Sequence, residues 1–462
     1  MQDRTITAIS TPFGRGGIAV IRISGIDAIK ISSEVFKPKS GKSLTEIPHG
    51  HTIYGLIVSG GITVDDGMAS VFKAPHSFTG EDTVEVSCHG GILITQKVLE
   101  AFFAAGARPA EAGEFTKRAF ISGKIKLTEA EAVIATINAE SDEQLKLARS
   151  HMEGSLSREI GEISSGLLQI LSRCYVLCDY PDEDLSEIST MEVQEILLSI
   201  RARLSKLLSG YRVGHAVAEG ISTAIVGRPN VGKSSLLNGL LGYQRAIVTD
   251  IPGTTRDTVE ERLYLGRVLL KLCDTAGIRS GDDIDEVEKI GIRRSIEKLD
   301  SSELVLGVFD ASSPLQSEDF DLIKRLENYA GVKIAVLNKC DRGEDPLLID
   351  TLENSGFNHT IKISAKTGFG FKELETLIEG LYFEGSIDYS KTPTLSLARQ
   401  KVSVQNAIDA VDRAIYGLSI NLPADIAGLD VEGAISALDE LDGRRVSERI
   451  VTEIFHNFCV GK

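Results

Sequence analysis

The segment Gly227-Arg228-Pro229-Asn230-Val231-Gly232-Lys233-Ser234 follows a β-rich run, Ile221 to Val226, and leads into Leu236, Leu237, Leu240 and Leu241 at helical spacing. A G-x-x-x-x-G-K-[ST] pattern between a strand and a helix is a phosphate-binding loop. Its glycines let the backbone N–H groups around Val231 and Gly232 converge on an anion at a helix N-terminus, where Lys233 adds a point charge. Ser234, followed by Ser235, offers a hydroxyl to Mg²⁺.

Downstream, strand-like runs at 268–273, 304–309, 333–337 and 361–363 alternate with helical stretches, the pattern of an α/β domain with a largely parallel sheet. Asp274-Thr275-Ala276-Gly277 stands at the end of the first of these runs, where an acidic group can hold the cation's hydration shell and a glycine N–H can sense a terminal phosphate. Asn338-Lys339-Cys340-Asp341 places Asp341 to accept from guanine N1–H and the exocyclic amine, a donor pair that adenine lacks. Ser364-Ala365-Lys366 follows the last strand and would close over the base. Four elements in this order predict a site for GTP and GDP. Between the first two lies Thr249-Asp250-Ile251-Pro252-Gly253-Thr254-Thr255-Arg256-Asp257, polar and turn-rich, suited to a loop that orders around metal and γ-phosphate. The residue after Gly277 is Ile278, which can neither donate nor accept, whereas Ras-like enzymes place a water-orienting Gln there. Another group must supply that function.

The flanks differ in period. Residues 1–118 alternate short β-rich runs (18–23, 51–58, 68–72, 83–87) with glycine turns, which predicts an α+β domain. Over 119–216 apolar residues recur three and four apart: Ile160, Ile163, Leu167, Ile170, Leu171, Cys174 and Cys178, then Val193, Ile196, Leu197, Ile200, Leu204, Leu207 and Leu208. These are amphipathic helices, and Asp179-Tyr180-Pro181-Asp182 between them predicts an antiparallel pair. Helical spacing returns over 383–462. The predicted organisation is multidomain: an α+β domain at 1–118, a helical domain at 119–216 and 383–462, and a Ras-like α/β phosphate-loop domain at 217–382 inserted into it.

Six cysteines without a C-x-x-C pair predict a reducing, cytoplasmic setting, and no run of about eighteen apolar residues predicts a membrane span. A net charge of −16 argues against a broad basic face for nucleic acid. It is uneven, however: residues 1–118 hold twelve Lys and Arg against twelve Asp and Glu, so any nucleic-acid contact would be local or shared with a partner.

The chain resembles the TrmE–Era–EngA-like branch of translation-factor-related GTPases and, within it, the TrmE (MnmE) family of tRNA-modification GTPases. The resemblance rests on Thr11-Pro12-Phe13-Gly14-Arg15-Gly16-Gly17, Arg22-Ile23-Ser24-Gly25, Ser77-Phe78-Thr79-Gly80-Glu81-Asp82, Gly113-Glu114-Phe115-Thr116, Asp250 to Asp257, and the terminal Phe458-Cys459-Val460-Gly461-Lys462. It implies a homodimer formed through the N-terminal domain, whose GTPase domains approach each other when K⁺ is bound. It further implies K⁺ contacts from Asn230 and Thr254 and from the carbonyls of Thr249 and Ile251, with Thr255 joining Ser234 on Mg²⁺. Catalysis would rest on Lys233, Thr255 and Glu288, the last orienting the hydrolytic water. The N-terminal domain would hold 5-formyl- or 5,10-methylenetetrahydrofolate among Arg22, Glu85, Lys124 and Lys462. The implied function is modification of the wobble uridine of certain tRNAs with an FAD-dependent MnmG (GidA)-like partner. A ribosome-assembly switch of the Era or EngA kind is the alternative, but it would be expected to bring a KH-like module or a second phosphate loop, and neither is legible. A stand-alone folate aminomethyltransferase with a regulatory GTPase is a second alternative. Cys459 reads as a tail cysteine, packed or exposed.

Overall fold

The computed structural model describes residues 4–179, 190–243, 261–272, 302–327, 329–382, 392–420, 422–456 and 458–461. The chain divides into two compact units, one of residues 1–138, 148–203 and 403–462, the other of residues 139–147 and 204–402.

The first unit is built on a seven-stranded sheet of β1 (Ile6–Ile9), β2 (Ile18–Ser24), β3 (Phe36–Pro38), β4 (His51–Ser59), β5 (Ile62–Phe72), β6 (Thr83–His89) and β7 (Arg108–Pro109). Its order is β3-β4-β5-β6-β2-β1-β7, antiparallel throughout except for the β1–β7 pair. The β4–β5 hairpin closes on Gly60 and Gly61 with φ of 57° and 83°. Two successive positive φ values make the turn that matches strand twist, and only glycine adopts them without strain. Alternate residues of β2 and β6 (Ala19, Ile21, Ile23; Val84, Val86, Cys88) face α1 (Ala28–Val35) and α2 (Ile92–Ala104), forming a core with Phe36 and Phe102.

The helices of this unit include α3 (Glu114–Ile121), α4 (Leu127–Ile137), α6 (Ser155–Asp179), α13 (Ala424–Asp442) and α14 (Glu448–His456), together with the parts of α5 (Asp142–Met152), α7 (Thr190–Ala218) and α12 (Ala398–Ser419) that fall within it. The expected apolar stripe is buried on α6 at Ile160, Ile163, Leu167, Ile170 and Cys174. On α7 it is buried at Val193, Leu197 and Ile200, while Ile196 is 36% exposed. Arg203 ties α7 to α6 through Glu159 and Glu162, both at 2.8 Å.

Two segments that carry the family resemblance meet in a buried ionic knot. Arg118, 5% exposed, donates to both Glu81 oxygens (3.0 and 2.9 Å), to Glu114 Oε1 (3.0 Å) and to the Arg4 carbonyl (3.0 Å). Arg108 adds a two-pronged contact to Glu114, and the Ser24 hydroxyl donates to Glu81 Oε2 at 3.0 Å. Burial would raise the Glu114 carboxyl, but hydrogen bonds from Arg108, the Glu111 amide and Arg118 hold it below its ordinary value of 4.5. A lowered folded-state value makes this stabilisation present above about pH 4.5 and lost as the pH falls through the folded value. Replacement of Arg118 by Ala removes the cation that Glu81 and Glu114 share, leaving Glu81 to the Ser24 hydroxyl and Glu114 to Arg108. It should lower the stability of this unit by about 3–5 kcal/mol in urea unfolding at pH 7, with a smaller loss near pH 3.

The second unit carries a six-stranded sheet of β8 (Ile221–Val226), β9 (Glu261–Leu265), β10 (Val268–Leu272), β11 (Leu304–Asp310), β12 (Val332–Asn338) and β13 (His359–Lys362), in the order β13-β12-β11-β8-β10-β9. All pairs are parallel except β9–β10, which turns back through Gly266. The central strands are apolar on both sides because helices cover both. Leu306, Val308, Ile334 and Val336 pack with α8 (Lys233–Tyr243) and α11 (Phe371–Tyr382), whereas Phe309, Ala335 and Leu337 pack with α9 (Ser317–Leu326) and α10 (Pro346–Glu353). The sheet therefore presents the loops after β8, β11, β12 and β13 along one edge, where open parallel sheets bind ligands.

Candidate guanine-nucleotide site

The phosphate loop spans the gap between β8 and α8, so the N-terminus of an eleven-residue helix opens directly behind it. The amides at this end have no partner within the helix, and their partial positive charge suits an anion. Lys233 folds its ammonium onto the loop's own carbonyls, Gly227 O at 2.8 Å and Arg228 O at 2.9 Å. Ser234 and Ser235 are exposed at the first turn. A hydroxyl there, at the N-terminus of α8, fits a magnesium ion carried in with the phosphates.

Asn338, at the end of β12, crosses between two loops. Its Nδ2 donates to Val231 O at 2.8 Å, and its Oδ1 accepts from Ala365 N at 3.0 Å. Gly232 has φ of 100°, and a Cβ there would stand 2.2 Å from Asn338 Nδ2. The second motif glycine is thus required by the strap across the loop, in addition to leaving the backbone open to phosphate.

Lys339 donates to Asn230 O at 2.6 Å and to Asp310 Oδ2 at 2.7 Å. Asn230 and Lys339, with φ of 63° and 65°, are the two non-glycine residues with positive φ among the described residues. Such conformations cost about 1–2 kcal/mol each and persist where the surroundings over-determine them. Burial would raise the Asp310 carboxyl, yet hydrogen bonds from Lys339 and from Ser312 hold it below its ordinary range.

Asp341 is exposed, and the Ser364 hydroxyl donates to its Oδ1 at 2.7 Å. That bond holds the carboxyl below its ordinary range and fixes its plane. Ser364 is itself held by its amide on Phe369 O at 3.0 Å, and the Cys340 amide donates to Ile363 O at 3.2 Å. An ionised, oriented carboxylate beside a strap to the phosphate loop presents the acceptor edge that guanine requires. Lys366 is exposed on the same turn. Burial raises the Cys340 thiol, which leaves it protonated at neutral pH and unsuited to nucleophilic work.

The structure thus brings together Asn230, Val231, Gly232, Lys233, Ser234, Asn338, Lys339, Asp341, Ser364 and Ala365 by these bonds and chain neighbours. Thr249, Asp250, Ile251, Pro252, Gly253, Thr254, Thr255, Asp274, Thr275, Ala276, Gly277 and Glu288 lie outside the described residues. Four further residues brace this region without standing out in the sequence: Asp310, Arg228, Asp319 and Ser313. Asp310 holds Lys339, while Arg228 donates to Asp319 Oδ2 at 2.9 Å and to Ser313 Oγ at 3.0 Å. Their only sequence signal is an acidic residue ending an apolar strand and a charge in the phosphate loop.

Of the folate candidates, Arg22 and Glu85 face each other across β2 and β6 and bond at 2.7–2.8 Å, with the guanidinium 5.5 Å from the Phe115 ring centre. They offer a carboxylate and a stacked cation side by side, a donor set that fits a pterin edge. Lys124 donates instead to Pro75 O at 2.8 Å, and Lys462 lies outside the described residues. The chain terminus nevertheless reaches this region. Val460 bridges to Ala112, and Gly461 O accepts from Ser10 Oγ at 3.2 Å. Cys459 is exposed. No helix among the described residues is long and apolar enough to cross a membrane.

The family model for the MnmE helical domain matches residues 127–459, and the model for the GTP-binding protein TrmE N-terminus matches residues 5–124. The tRNA modification GTPase MnmE of Clostridioides difficile (strain 630) is 42% identical over 463 residues, covering 100% of this chain and 99% of that protein. Its namesake from Lactococcus lactis subsp. lactis (strain IL1403) is 43% identical over 462 residues, covering 99% and 98%. A solved structure of Aquifex aeolicus Era bound to GDP.AlF4- is 26% identical, covers 41% of this chain and 66% of that one, and has a TM-score of 0.28. With family models running from residue 5 to residue 459 and full-length relatives at 42% and 43% identity, the chain belongs to the MnmE (TrmE) family of tRNA modification GTPases.

Proposed function

We propose that this protein hydrolyses GTP to drive modification of the wobble uridine of certain tRNAs at C5, together with an FAD-dependent MnmG-like partner. The observation that carries the nucleotide half is the strapping of the phosphate loop to the base loop through Asn338 and Lys339, with Asp341 held ready by Ser364. The tRNA half comes from the family and its named relatives. The proposed organisation is an N-terminal folate-binding and dimerising domain at 1–118, a helical domain at 119–216 and 383–462, and a GTPase domain at 217–382.

In this reading Lys233 and the loop amides bind the β- and γ-phosphates, Ser234 and Thr255 hold Mg²⁺, and Glu288 orients the attacking water. Asn230, Thr254 and the carbonyls of Thr249 and Ile251 hold K⁺, which supplies positive charge toward the developing phosphate charge where other GTPases use an arginine finger. Binding of K⁺ brings the GTPase domains of the homodimer together. Tetrahydrofolate, held by Arg22, Glu85, Lys124 and Lys462, supplies the one-carbon unit, and glycine or ammonium the amine. Hydrolysis drives conformational change rather than the carbon chemistry, because no described residue of the nucleotide site links phosphate to uridine.

Each part has its own test. Mass spectrometry of wobble uridines should show the modification absent from cells lacking this chain, restored by the wild type and not by Glu288→Ala. Full restoration by a Glu288→Ala chain without GTPase activity would separate hydrolysis from modification. Exchanging K⁺ for Na⁺ at constant ionic strength should slow phosphate release at least tenfold, an effect of about 1.4 kcal/mol on the barrier. Equal rates in the two salts remove the cation from the mechanism. Asp341→Asn reverses one hydrogen-bond polarity at the base, so competition binding should show preference moving from GTP to XTP. Unchanged selectivity would place base recognition elsewhere.

A further inference from the structure

We propose that Asp310, which no motif includes, is a positioning residue for nucleotide binding: its carboxylate fixes Lys339 and, through it, the backbone of the phosphate loop at Asn230. The inference rests on the reading of Lys339 as part of the guanine-nucleotide pocket.

Asp310 is the last residue of β11, the strand beside β8 in the sheet. Its Oδ1 accepts from the amide and the hydroxyl of Ser312, at 3.0 and 2.7 Å, which locks the carboxylate plane. Its Oδ2 is thereby aimed at Lys339 Nζ, 2.7 Å away, with the aspartate side chain 12% exposed. The same ammonium holds Asn230 O at 2.6 Å. One link in this chain of contacts is unusual: Lys339 and the residue whose carbonyl its ammonium holds, Asn230, are the two left-handed non-glycine residues among the described ones. Lysine has long rotamer freedom, and an ammonium on four methylenes does not choose one carbonyl without a second fixed partner. Asp310 supplies that partner from a rigid strand end. Lys339 precedes Asp341 by two residues, so the carboxylate that fixes its ammonium ties the phosphate loop to the segment that carries Asp341. Charge matters here, because the bond to the cation is made in a half-buried setting where an ion pair is stronger than a neutral hydrogen bond.

The test uses the full chain and a fluorescent GDP analogue in magnesium buffer. Asp310→Asn keeps an acceptor for Ser312 and removes the charge facing Lys339. It should melt within a few degrees of wild type yet bind about tenfold more weakly. Lys339→Met should weaken binding by at least as much, and the double variant should bind no more weakly than Lys339→Met alone, because Asp310 acts only through that lysine. A merely structural role would not produce that non-additivity. Should Asp310→Asn fail to fold, Asp310→Ser carries the same expectations. Binding by the Asp310 variant within twofold of wild type, or losses that multiply in the double variant, overturns the proposal. Failure of the wild-type chain to bind the analogue would instead remove the nucleotide reading itself, so the two failures are distinct.

Discussion

A single carboxamide, that of Asn338, sets the spacing on which the nucleotide site depends. It is 2% exposed and satisfied on both sides, by Val231 O and by the Ala365 amide. A buried amide left half-paired is costly, so the loops on either side are held to the positions where both bonds are made. Gly232 must then be glycine because the strap passes where a Cβ would stand. Lys339, the next residue, repeats the link with a charge. The phosphate loop and the loops after β12 and β13 are therefore mechanically one unit, anchored at the ends of parallel strands.

The first unit uses buried charge differently. The segments around Glu81 and Glu114, which carry part of the family resemblance, converge on Arg118 and hold α3 against the loop before β6. Hydroxyls of Ser24, Thr79 and Thr83 extend the same network, and Ser77 Oγ donates to Glu81 O at 2.5 Å. Charged residues at these positions are fold-specifying contacts. Arg22 and Glu85, by contrast, pair with each other from adjacent strands, with the Phe115 ring beside the guanidinium and Gly461 O 3.5 Å from it.

The strands of the phosphate-loop sheet were legible because both of their faces are covered: Leu304 to Phe309 and Lys333 to Leu337 read as short apolar runs between turn residues. The edge strand β9 (Glu261–Leu265) and the two- and three-residue strands β7 and β3 carry no such run; β9 is held by its hairpin to β10, and β7 by β1, a neighbour distant in sequence. The α6 stripe was legible for the same reason as the central strands. Ile196 on α7 fits the helical period and yet is half exposed, because periodicity gives a face and not the extent of its partner.

By itself the sequence determined the phosphate loop, the turn from Asn338 to Asp341 after an apolar strand and the alternation of strand and helix, because each is written in contiguous residues with a local steric or hydrogen-bonding purpose. Only the tertiary structure decided that Asn338 spans two loops, that Asp310 from a strand's end and Asp319 from the first turn of α9 brace the phosphate loop, and that Arg22 pairs with Glu85 while Lys124 turns to Pro75. A lone carboxylate or ammonium has no local signature. Its partner is chosen by which strand ends the sheet order sets side by side, and that order arises from long-range packing.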